Sequence, residues 1–248
     1  MIVKRKAFTS DAPAIRAIWA ASFPEDPPEV CDAFLTAVSL SDCLVAEVDG
    51  VVASMVFSVT AKLGEQRLQY IYAAATLPSH RGRGVFGELL HFALEQARNE
   101  GCVGSFLHPA EPSLAEYYAR FGYRPWTYVE RVRGTAGGTL ALQPLSPEEY
   151  AVRRPLLPYA VAWPPSLLQY AAWCDTAYAA GNAVLLCAVQ GETLLIKETL
   201  GDADPSAVCA ALGCARYEWV RPAANGEVYT LLLPFAELPP PYIGPIFD

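Results

Sequence analysis

The sequence predicts an α/β protein whose central sheet is mixed, with helices packed on its faces. An apolar hairpin over residues 43–60 is followed by a third apolar strand over 67–77, and then by a helix and a fourth strand over 102–108. Strands joined by a two-residue turn pair antiparallel, whereas strands joined through a helix pair parallel. Both kinds of pairing are therefore expected in one sheet.

The first 60 residues predict two helices and the hairpin. Ser10 or Asp11 suits the cap of a helix over 9–20, and a loop over 23–29 with three prolines ends that helix. A second helix is expected over about 30–39. Asp49-Gly50, between the two apolar strands of the hairpin, has the chemistry of a type I′ turn.

A basic, glycine-rich turn follows the third strand. It reads Pro78-Ser79-His80-Arg81-Gly82-Arg83-Gly84 and leads into an amphipathic helix over about 84–99. The first N–H groups of a helix have no partner within the helix, and the helix dipole adds partial positive charge there. Gly82 and Gly84 let the backbone approach a phosphate, and Arg81 and Arg83 add positive charge. The turn therefore predicts an anion site.

The same glycines admit a second interpretation. Gly82, Gly84 and Gly87 have the spacing of the dinucleotide fingerprint. However, four residues separate the strand from the first glycine, and the following strand ends in Ser105-Phe106-Leu107-His108 without an acidic residue. A nicotinamide-binding oxidoreductase is therefore retained only as the third functional alternative.

Two segments carry a resemblance to a known family. The stretch from Ala74 to Val85 resembles the acetyl-CoA-binding segment of the GCN5-related N-acetyltransferases (GNAT family), whose core is Arg/Gln-x-x-Gly-x-Gly/Ala. The stretch from Ala115 to Tyr123 resembles the family's aromatic-Tyr-x-x-x-Gly-aromatic segment. The resemblance covers about residues 1–133. It implies the GNAT fold, acetyl-CoA as co-substrate, and transfer of an acetyl group to a primary amine.

The resemblance also implies which residues hold acetyl-CoA. These are Ala74, Ala75, Thr76, Arg81, Gly82, Arg83, Gly84, Val85 and Phe86. The backbone of the first three would grip the acetyl and pantetheine parts where the third and fourth strands splay apart at a bulge. Phe86 departs from the family pattern, because glycine or alanine is usual there. A side chain pointing inward would crowd the pyrophosphate and weaken CoA binding, so we expect Phe86 to point toward the sheet beside Leu90.

The same resemblance assigns the chemistry. Tyr118 takes the position of the general acid, because a phenol with a pKa of about 10 stays protonated at neutral pH and can reprotonate a thiolate whose pKa is about 8.5. His108, at the end of the fourth strand, is a candidate base, and a water or the Asp248 carboxylate are the alternatives. Glu25 and Asp26 lie in a segment that resembles the acceptor-flanking loop and are expected to attract the amine.

Composition limits the partners. The net charge of −8 argues against a nucleic-acid partner and favours a cationic acceptor, which could be a small molecule or a peptide amine. No run is long and apolar enough for a signal peptide or a membrane span, so we expect no membrane association. The seven scattered cysteines lack metal-ligand spacing, which predicts free thiols, a cytoplasmic location and no metal. The oligomeric state is left open.

The second half repeats the order of the first in shortened form. A composition shift after residue 133 places the boundary between a catalytic domain, 1–136, and a smaller, degenerate GNAT-like domain, 137–248, which would shape the acceptor cleft. Its hairpin over 183–200 precedes a helix over 205–212 and two strands, 216–220 and 228–233. No basic turn precedes that helix, so one CoA per chain is expected.

The sequence leaves two points open, one about the second half and one about the whole chain. Lys197, Glu198 and Trp163 could line a cleft, or they could be a surface ion pair and a packed aromatic ring. The whole chain could also be a non-catalytic acyl-CoA-binding regulatory protein, in which the fold persists without turnover.

Overall fold

The computed structural model describes residues 1–155 and 157–245, which form two compact units. The first unit contains residues 1–109, 115–124 and 231–239, and the second contains the remaining described residues. The contacts thus group 231–239 with the N-terminal part of the chain, whereas the domain boundary expected after residue 136 divides the chain at one point. That boundary stays a prediction.

After a first strand, the N-terminal part of the chain has its helices and strands in the predicted order. Its elements are β1 Ile2–Lys6, α1 Ala12–Ser22, α2 Pro28–Ala37, β2 Cys43–Val48, β3 Val51–Leu63, β4 Gln66–Thr76, α3 Val85–Asn99, β5 Gly104–Leu107 and α4 Ser113–Ala119. The strand β1 was not predicted, because its sequence, two apolar residues followed by three basic ones, lacks the alternation that is typical of a strand.

The sheet of the first unit is mixed, as predicted. Its strands lie in the order β1-β2-β3-β4-β5, and residues 231–234 add an antiparallel strand beside β5. The pairing of β4 with β5 is parallel, while β1 to β4 pair antiparallel. Asp49 and Gly50 both have positive φ, 49° and 86°, which confirms the type I′ turn of the β2–β3 hairpin.

The helix α3 covers one face of this sheet. Its apolar side chains recur every three or four residues and are buried against the strands; they are Val85, Leu89, Leu90, Ala93, Leu94 and Ala97. Helix α1 buries Ile15, Ile18 and Trp19 and contacts β3 and β4. This packing fixes the position of the α3 N-terminus relative to the end of β4.

The later part of the chain contains further strands and three helices. These elements are β6 Arg124–Thr135, β7 Gln143–Leu145, α5 Pro147–Arg153, β8 Val161–Ala162, α6 Pro165–Cys174, β9 Thr176–Ala180, β10 Ala183–Gln190, β11 Thr193–Leu200, α7 Pro205–Ala211, β12 Arg216–Ala223 and β13 Glu227–Pro234. In the second unit the strands lie in the order β6-β12-β11-β10-β9-β7.

The second unit reproduces one local arrangement of the first. An antiparallel hairpin, β10–β11, is followed by α7 and then by β12, which pairs parallel with β11. The same succession of hairpin, helix and parallel strand is seen from β3 to β5. The N-terminus of α7 differs, however, because the side chain of Asp204 accepts a hydrogen bond from the N–H of Ser206 at 3.0 Å. An acidic cap repels a phosphate, which supports the expectation of one CoA site per chain.

Two side chains of the second unit differ from the simplest sequence expectation. Glu198 is 1% exposed and is paired with Arg154, so it is not part of a surface pair. Lys197 is paired instead with Asp175 at 3.1 Å. All seven cysteines are free thiols, and six of them are buried.

Candidate active site

The carboxyl end of β4 separates from β5. Among the described residues, the two strands pair only at Gln69 with Ser105 and at Tyr70 with Phe106, although β4 continues to Thr76 along β3. The backbone groups on the β5 side of this last stretch therefore lack a strand partner there. They are available to bind a ligand that enters between the strands.

A bulge accompanies the separation. The register of β3 against β4 shifts between Met55 and Phe57, so that Ala73 and Ala74 lie opposite one residue. Ala73 has a φ of 46°, which is a left-handed conformation that alanine adopts at a cost of about 1–3 kcal/mol. The separation and the bulge implied by the family resemblance are both present.

Three polar side chains stabilise the end of β4. The buried hydroxyl of Ser54 donates to the carbonyl of Ala75 at 2.8 Å and lies 2.8 Å from the hydroxyl of Thr76. Since Ser54 has one hydroxyl proton, the Thr76 hydroxyl must donate to it. Arg81 donates from Nε to the carbonyl of Thr76 at 2.9 Å, and from Nη2 to the hydroxyl of Ser22 at 3.3 Å. We call Ser54, Thr76 and Arg81 the strand-end brace.

The glycine-rich turn presents the N-terminus of α3. Gly82 and Gly84 have φ of 73° and 76°, values that favour glycine, and a Cβ at either position would have no non-neighbouring atom of the described residues within 4 Å. Residues 81–84 are exposed, and no side chain within the described part of the chain caps the first turn of α3. Its N–H groups are therefore open to an anion. Arg83 has no ion-pair or hydrogen-bond partner among residues 1–155 and 157–245 and can add its charge.

Phe86 packs against two tyrosines of α4. Its half-buried ring lies 6.1 Å from the ring of Tyr117 and 6.3 Å from that of Tyr118. These contacts lie on the α4 side of the ring, and the expectation that Phe86 points toward the sheet beside Leu90 stays a prediction. Because its ring is engaged with two tyrosines, Phe86 links the first turn of α3 to the candidate general acid.

Tyr118 lies in an aromatic enclosure. It is 7% exposed, and the rings of Tyr117 and Tyr123 lie 5.5 and 5.7 Å away. No residue in the described ranges hydrogen-bonds to its hydroxyl. Tyr123 by contrast is bonded to Ser105 on β5 at 2.7 Å. Burial raises the pKa of Tyr118 above its usual range, so its hydroxyl keeps its proton.

The remaining predicted residues lie at the ends of neighbouring elements. His108 follows β5 directly and is half-buried. Glu25 is exposed in the loop between α1 and α2, whereas Asp26 accepts a hydrogen bond from the indole of Trp19 at 2.9 Å. Trp19 lies 6.2 Å from Tyr72 on the bulged strand, which connects this loop to β4 through aromatic packing. Asp248 lies outside the described residues.

The first unit thus contains all of the predicted cofactor-binding residues. It also contains the other predicted site residues, which are Tyr118, His108, Glu25 and Asp26. Three residues that support them, namely Ser54, Ser22 and Trp19, were not predicted from the sequence. Ser54 and Ser22 leave no local signal, because Ser54 is 22 residues from Thr76 and Ser22 is 59 residues from Arg81.

Comparison with known families agrees with this geometry. The sequence profile described as acetyltransferase (GNAT) domain matches residues 4–126. This chain belongs to the GNAT family. It is accordingly an acyltransferase, and its mixed α/β fold is the GNAT fold. A search of curated proteins finds no match.

Solved structures of GNAT proteins have a similar fold over nearly the whole chain. A GCN5-related N-acetyltransferase from Anabaena variabilis has a TM-score of 0.72 at 15% identity, covering 95% of this chain and 73% of that one. One from Kribbella flavida has a TM-score of 0.66 at 17% identity, with coverages of 94% and 70%. Eis1 from Mycobacterium abscessus has a TM-score of 0.68 at 17% identity, with coverages of 95% and 74%. At these identities the likeness concerns the fold.

Two further observations bear on this GNAT protein. Within the described part of the chain, no cluster of three or more histidine, cysteine, aspartate or glutamate side chains could hold a metal ion. No helix there has the length and hydropathy needed to cross a bilayer.

Proposed function

We propose that this GNAT protein transfers an acetyl group from acetyl-CoA to a primary amine, with Tyr118 as the general acid. The observation that carries the proposal is the combination, within one unit, of the splayed end of β4 and the uncapped α3 N-terminus. The first offers unpaired backbone groups to a thioester and its pantetheine arm. The second offers N–H groups and positive charge to a pyrophosphate.

The cofactor-binding residues act through the backbone and through charge. Amides at Ala74 to Thr76 would bind the pantetheine arm and stabilise the oxyanion formed at the thioester carbonyl. The amides of the turn from Arg81 to Phe86 would bind the pyrophosphate, with Arg83 at its rim. The strand-end brace would keep the two binding surfaces at a fixed separation, because it ties the last residue of β4 to the turn.

The reaction joins the amine nitrogen to the acetyl carbon and breaks the carbon–sulfur bond. The neutral amine attacks the thioester carbonyl, and the electron pair of the broken bond leaves on the CoA sulfur. Tyr118 donates its proton to that thiolate, and the amine loses a proton to His108, to a water or to the Asp248 carboxylate. The products are an amide and CoA with a free thiol.

The acceptor would approach past the acidic loop. Glu25 is exposed and can attract a cationic amine, whereas Asp26 is held by Trp19 and so has one oxygen committed. We therefore assign the attraction of the amine to Glu25 and the positioning of the loop to Asp26. The acceptor class is a small-molecule or peptide amine, and the buried free thiols support a reducing, cytoplasmic setting.

The test is thiol release from acetyl-CoA in the presence of a panel of amines, with Tyr118→Phe and Tyr117→Phe compared. The Tyr118 variant should lose about 10²- to 10⁴-fold in kcat, the range for loss of a general acid, while its acetyl-CoA affinity stays within threefold. The neighbouring Tyr117 variant is the matched control and should retain most activity. A wild-type protein that binds acetyl-CoA but turns over no amine would instead favour the non-catalytic, regulatory alternative.

A further inference from the structure

The second unit contains a cavity of about 250 Å³ between the ends of three strands and the C-terminal segment. Its wall on β6 includes Trp126 and Tyr128, and Tyr229 contributes a ring from β13. None of the residues that line it belongs to the predicted cofactor or acceptor sets. The cavity is therefore a separate feature of the molecule.

The cavity wall is mostly apolar, with polar atoms from Thr127 and the two tyrosines. Beside the three aromatic residues, Pro222 and Pro240 contribute apolar side chains, and none of the described lining side chains carries a charge. Aromatic and proline rings bind planar apolar groups through stacking and edge contacts. Although Pro222, Ala224 and Pro240 are exposed, a charged group would lose part of its hydration there without gaining a counter-charge, which is unfavourable.

One wall of the cavity is fixed by a buried polar network. The C-terminal segment, residues 240–245, contributes Pro240, Pro241 and Ile243 to the lining. Just beyond them, the carbonyl of Gly244 accepts hydrogen bonds from the Arg154 guanidinium and from the Trp163 indole, the latter at 3.0 Å. Two donors therefore converge on a single backbone oxygen of this segment.

Glu198 organises the same network. Its carboxylate accepts hydrogen bonds from Tyr150 at 2.6 Å and from Tyr242 at 2.8 Å, and it pairs with Arg154 at 2.9 Å. The Glu198 and Arg154 side chains are at most 3% exposed, so every partner is needed to offset the desolvation of the two charges. A Cβ at Gly244 would lie 2.7 Å from the Tyr242 hydroxyl and 2.8 Å from the Glu198 carboxylate, so a larger residue at position 244 would displace members of this network.

We propose that this cavity is a binding site for a small, uncharged, planar ring, with the C-terminal segment as its fixed wall. A cavity of about 150 Å³ holds benzene, so the volume here suits a bicyclic ring such as indole. The buried network holds the segment in place before the ligand arrives, which reduces the ordering cost of binding.

Indole is the probe, and its binding to the full chain is measured by saturation-transfer NMR and calorimetry. Saturable binding with a Kd on the order of 1 mM or tighter is expected, since the ring has few atoms. Benzoate, which is similarly flat but anionic, should bind at least tenfold more weakly. Failure of indole to saturate folded protein, or equal binding of benzoate, would contradict the proposal.

Variants locate the site. Ala224 lines the cavity and is exposed, so the Ala224→Trp variant should fold, and its indole affinity should fall at least tenfold because the new side chain fills the cavity. Asn225 is also exposed but lies outside the lining, so Asn225→Trp should bind indole as the wild type does. Tyr242→Phe removes one bond to Glu198 and should weaken binding severalfold. If Ala224→Trp shows no cooperative unfolding transition, and therefore is not properly folded, Tyr229→Ala is measured in its place. Unchanged binding in the filled variant would overturn the assignment.

Discussion

The Nε–H of Arg81 donates to the carbonyl oxygen of Thr76 across 2.9 Å. This bond connects the phosphate-binding turn to the last residue of the splayed strand, and the same guanidinium reaches Ser22 at the end of α1. Arg81 therefore has two roles in the proposed site. It contributes charge near the pyrophosphate, and it holds the strand end in position.

Lysine at position 81 separates these roles. Arg81→Lys keeps the positive charge but cannot donate to Thr76 and Ser22 in the same fork geometry, so acetyl-CoA affinity should fall by about five- to tenfold. Arg83→Lys is the control, since Arg83 has no partner in the described part of the chain, and its loss should stay below about threefold. Calorimetric titration with acetyl-CoA measures both. Equal losses in the two variants would show that Arg81 acts by charge alone.

Ser54 should matter for stability because it is fully buried and bonded to two groups. Ser54→Ala leaves the Ala75 carbonyl and the Thr76 hydroxyl without this partner, and the free energy of unfolding should fall by about 1–3 kcal/mol. Ser41→Ala, at an exposed serine, should change it by less than about 0.5 kcal/mol. Urea denaturation measures the difference, and equal values for the two variants would remove Ser54 from the strand-end brace.

Phe86 should affect turnover more than binding. Its ring faces Tyr117 and Tyr118, so Phe86→Ala loosens the enclosure around the general acid without opening the pyrophosphate site. We expect kcat to fall severalfold and unfolding free energy to fall by about 1–3 kcal/mol, with acetyl-CoA affinity within threefold of wild type. Steady-state kinetics measures kcat, denaturation measures the unfolding free energy, and calorimetry measures the acetyl-CoA affinity. A clear gain in affinity would mean that the phenylalanine crowds the phosphate after all.

The raised pKa of Tyr118 predicts the alkaline side of the pH profile. A phenol whose pKa is raised by burial remains protonated where a free tyrosine would ionise. Ionisation of Tyr118 should therefore not reduce kcat between pH 7 and about 9.5. Profiles of wild type and Tyr118→Phe should have the same shape in this range, with the variant lower throughout. A decline with a midpoint below pH 9 that is absent from the variant would contradict this account.

Asp11 should make stability depend on acidic pH. Hydrogen bonds from Arg5, at 2.6 and 3.1 Å, hold the pKa of Asp11 below its ordinary 3.8 against the opposing effect of burial, and the N–H of Phe8 lowers it further. A lowered pKa in the folded state gives stability that is present above the unfolded pKa and lost as pH falls through the folded one. Asp11→Asn should therefore reduce unfolding free energy by about 1–3 kcal/mol at pH 7, and by less below pH 3.8.

The control for this pair is Asp32→Asn. Asp32 is bonded to Arg16 at 2.7 Å but is more than half exposed, so its loss should reduce stability by less than about 1 kcal/mol at any pH. Denaturation at pH 7 and at acidic pH measures both variants. If the free energies of unfolding of wild type and Asp11→Asn differ by the same amount at every pH, the negative charge of Asp11 does not contribute to stability.

Local patterns predicted most of the fold. Two-residue turns and apolar periods of two or 3.6 residues can be recognised within short stretches of sequence. They predicted the Asp49-Gly50 turn, the apolar face of α3 and the β10–β11 hairpin. Helix α6 was not predicted, because its sequence lies in a proline-rich, aromatic stretch, although proline is well suited to the first turn of a helix.

The site was predicted where the motif is continuous and missed where it is not. The turn from Arg81 to Phe86 occupies consecutive residues, but the direction of the Phe86 ring depends on α4, about thirty residues later. Glu198 appeared to belong to a surface pair because its partners, Arg154 and Tyr242, are each 44 residues away. Long-range contacts of this kind leave no periodic signal in the sequence.

Calorimetric titration of the full chain with acetyl-CoA, and with NAD in parallel, tests the central claim most directly. The proposed site predicts one acetyl-CoA per chain, no heat from NAD, and loss of acetyl-CoA binding in Gly84→Val, where a β-branched residue is strained at a φ of 76°. Two equivalents of acetyl-CoA, binding of NAD in its place, or no binding of acetyl-CoA by the folded protein would each contradict it.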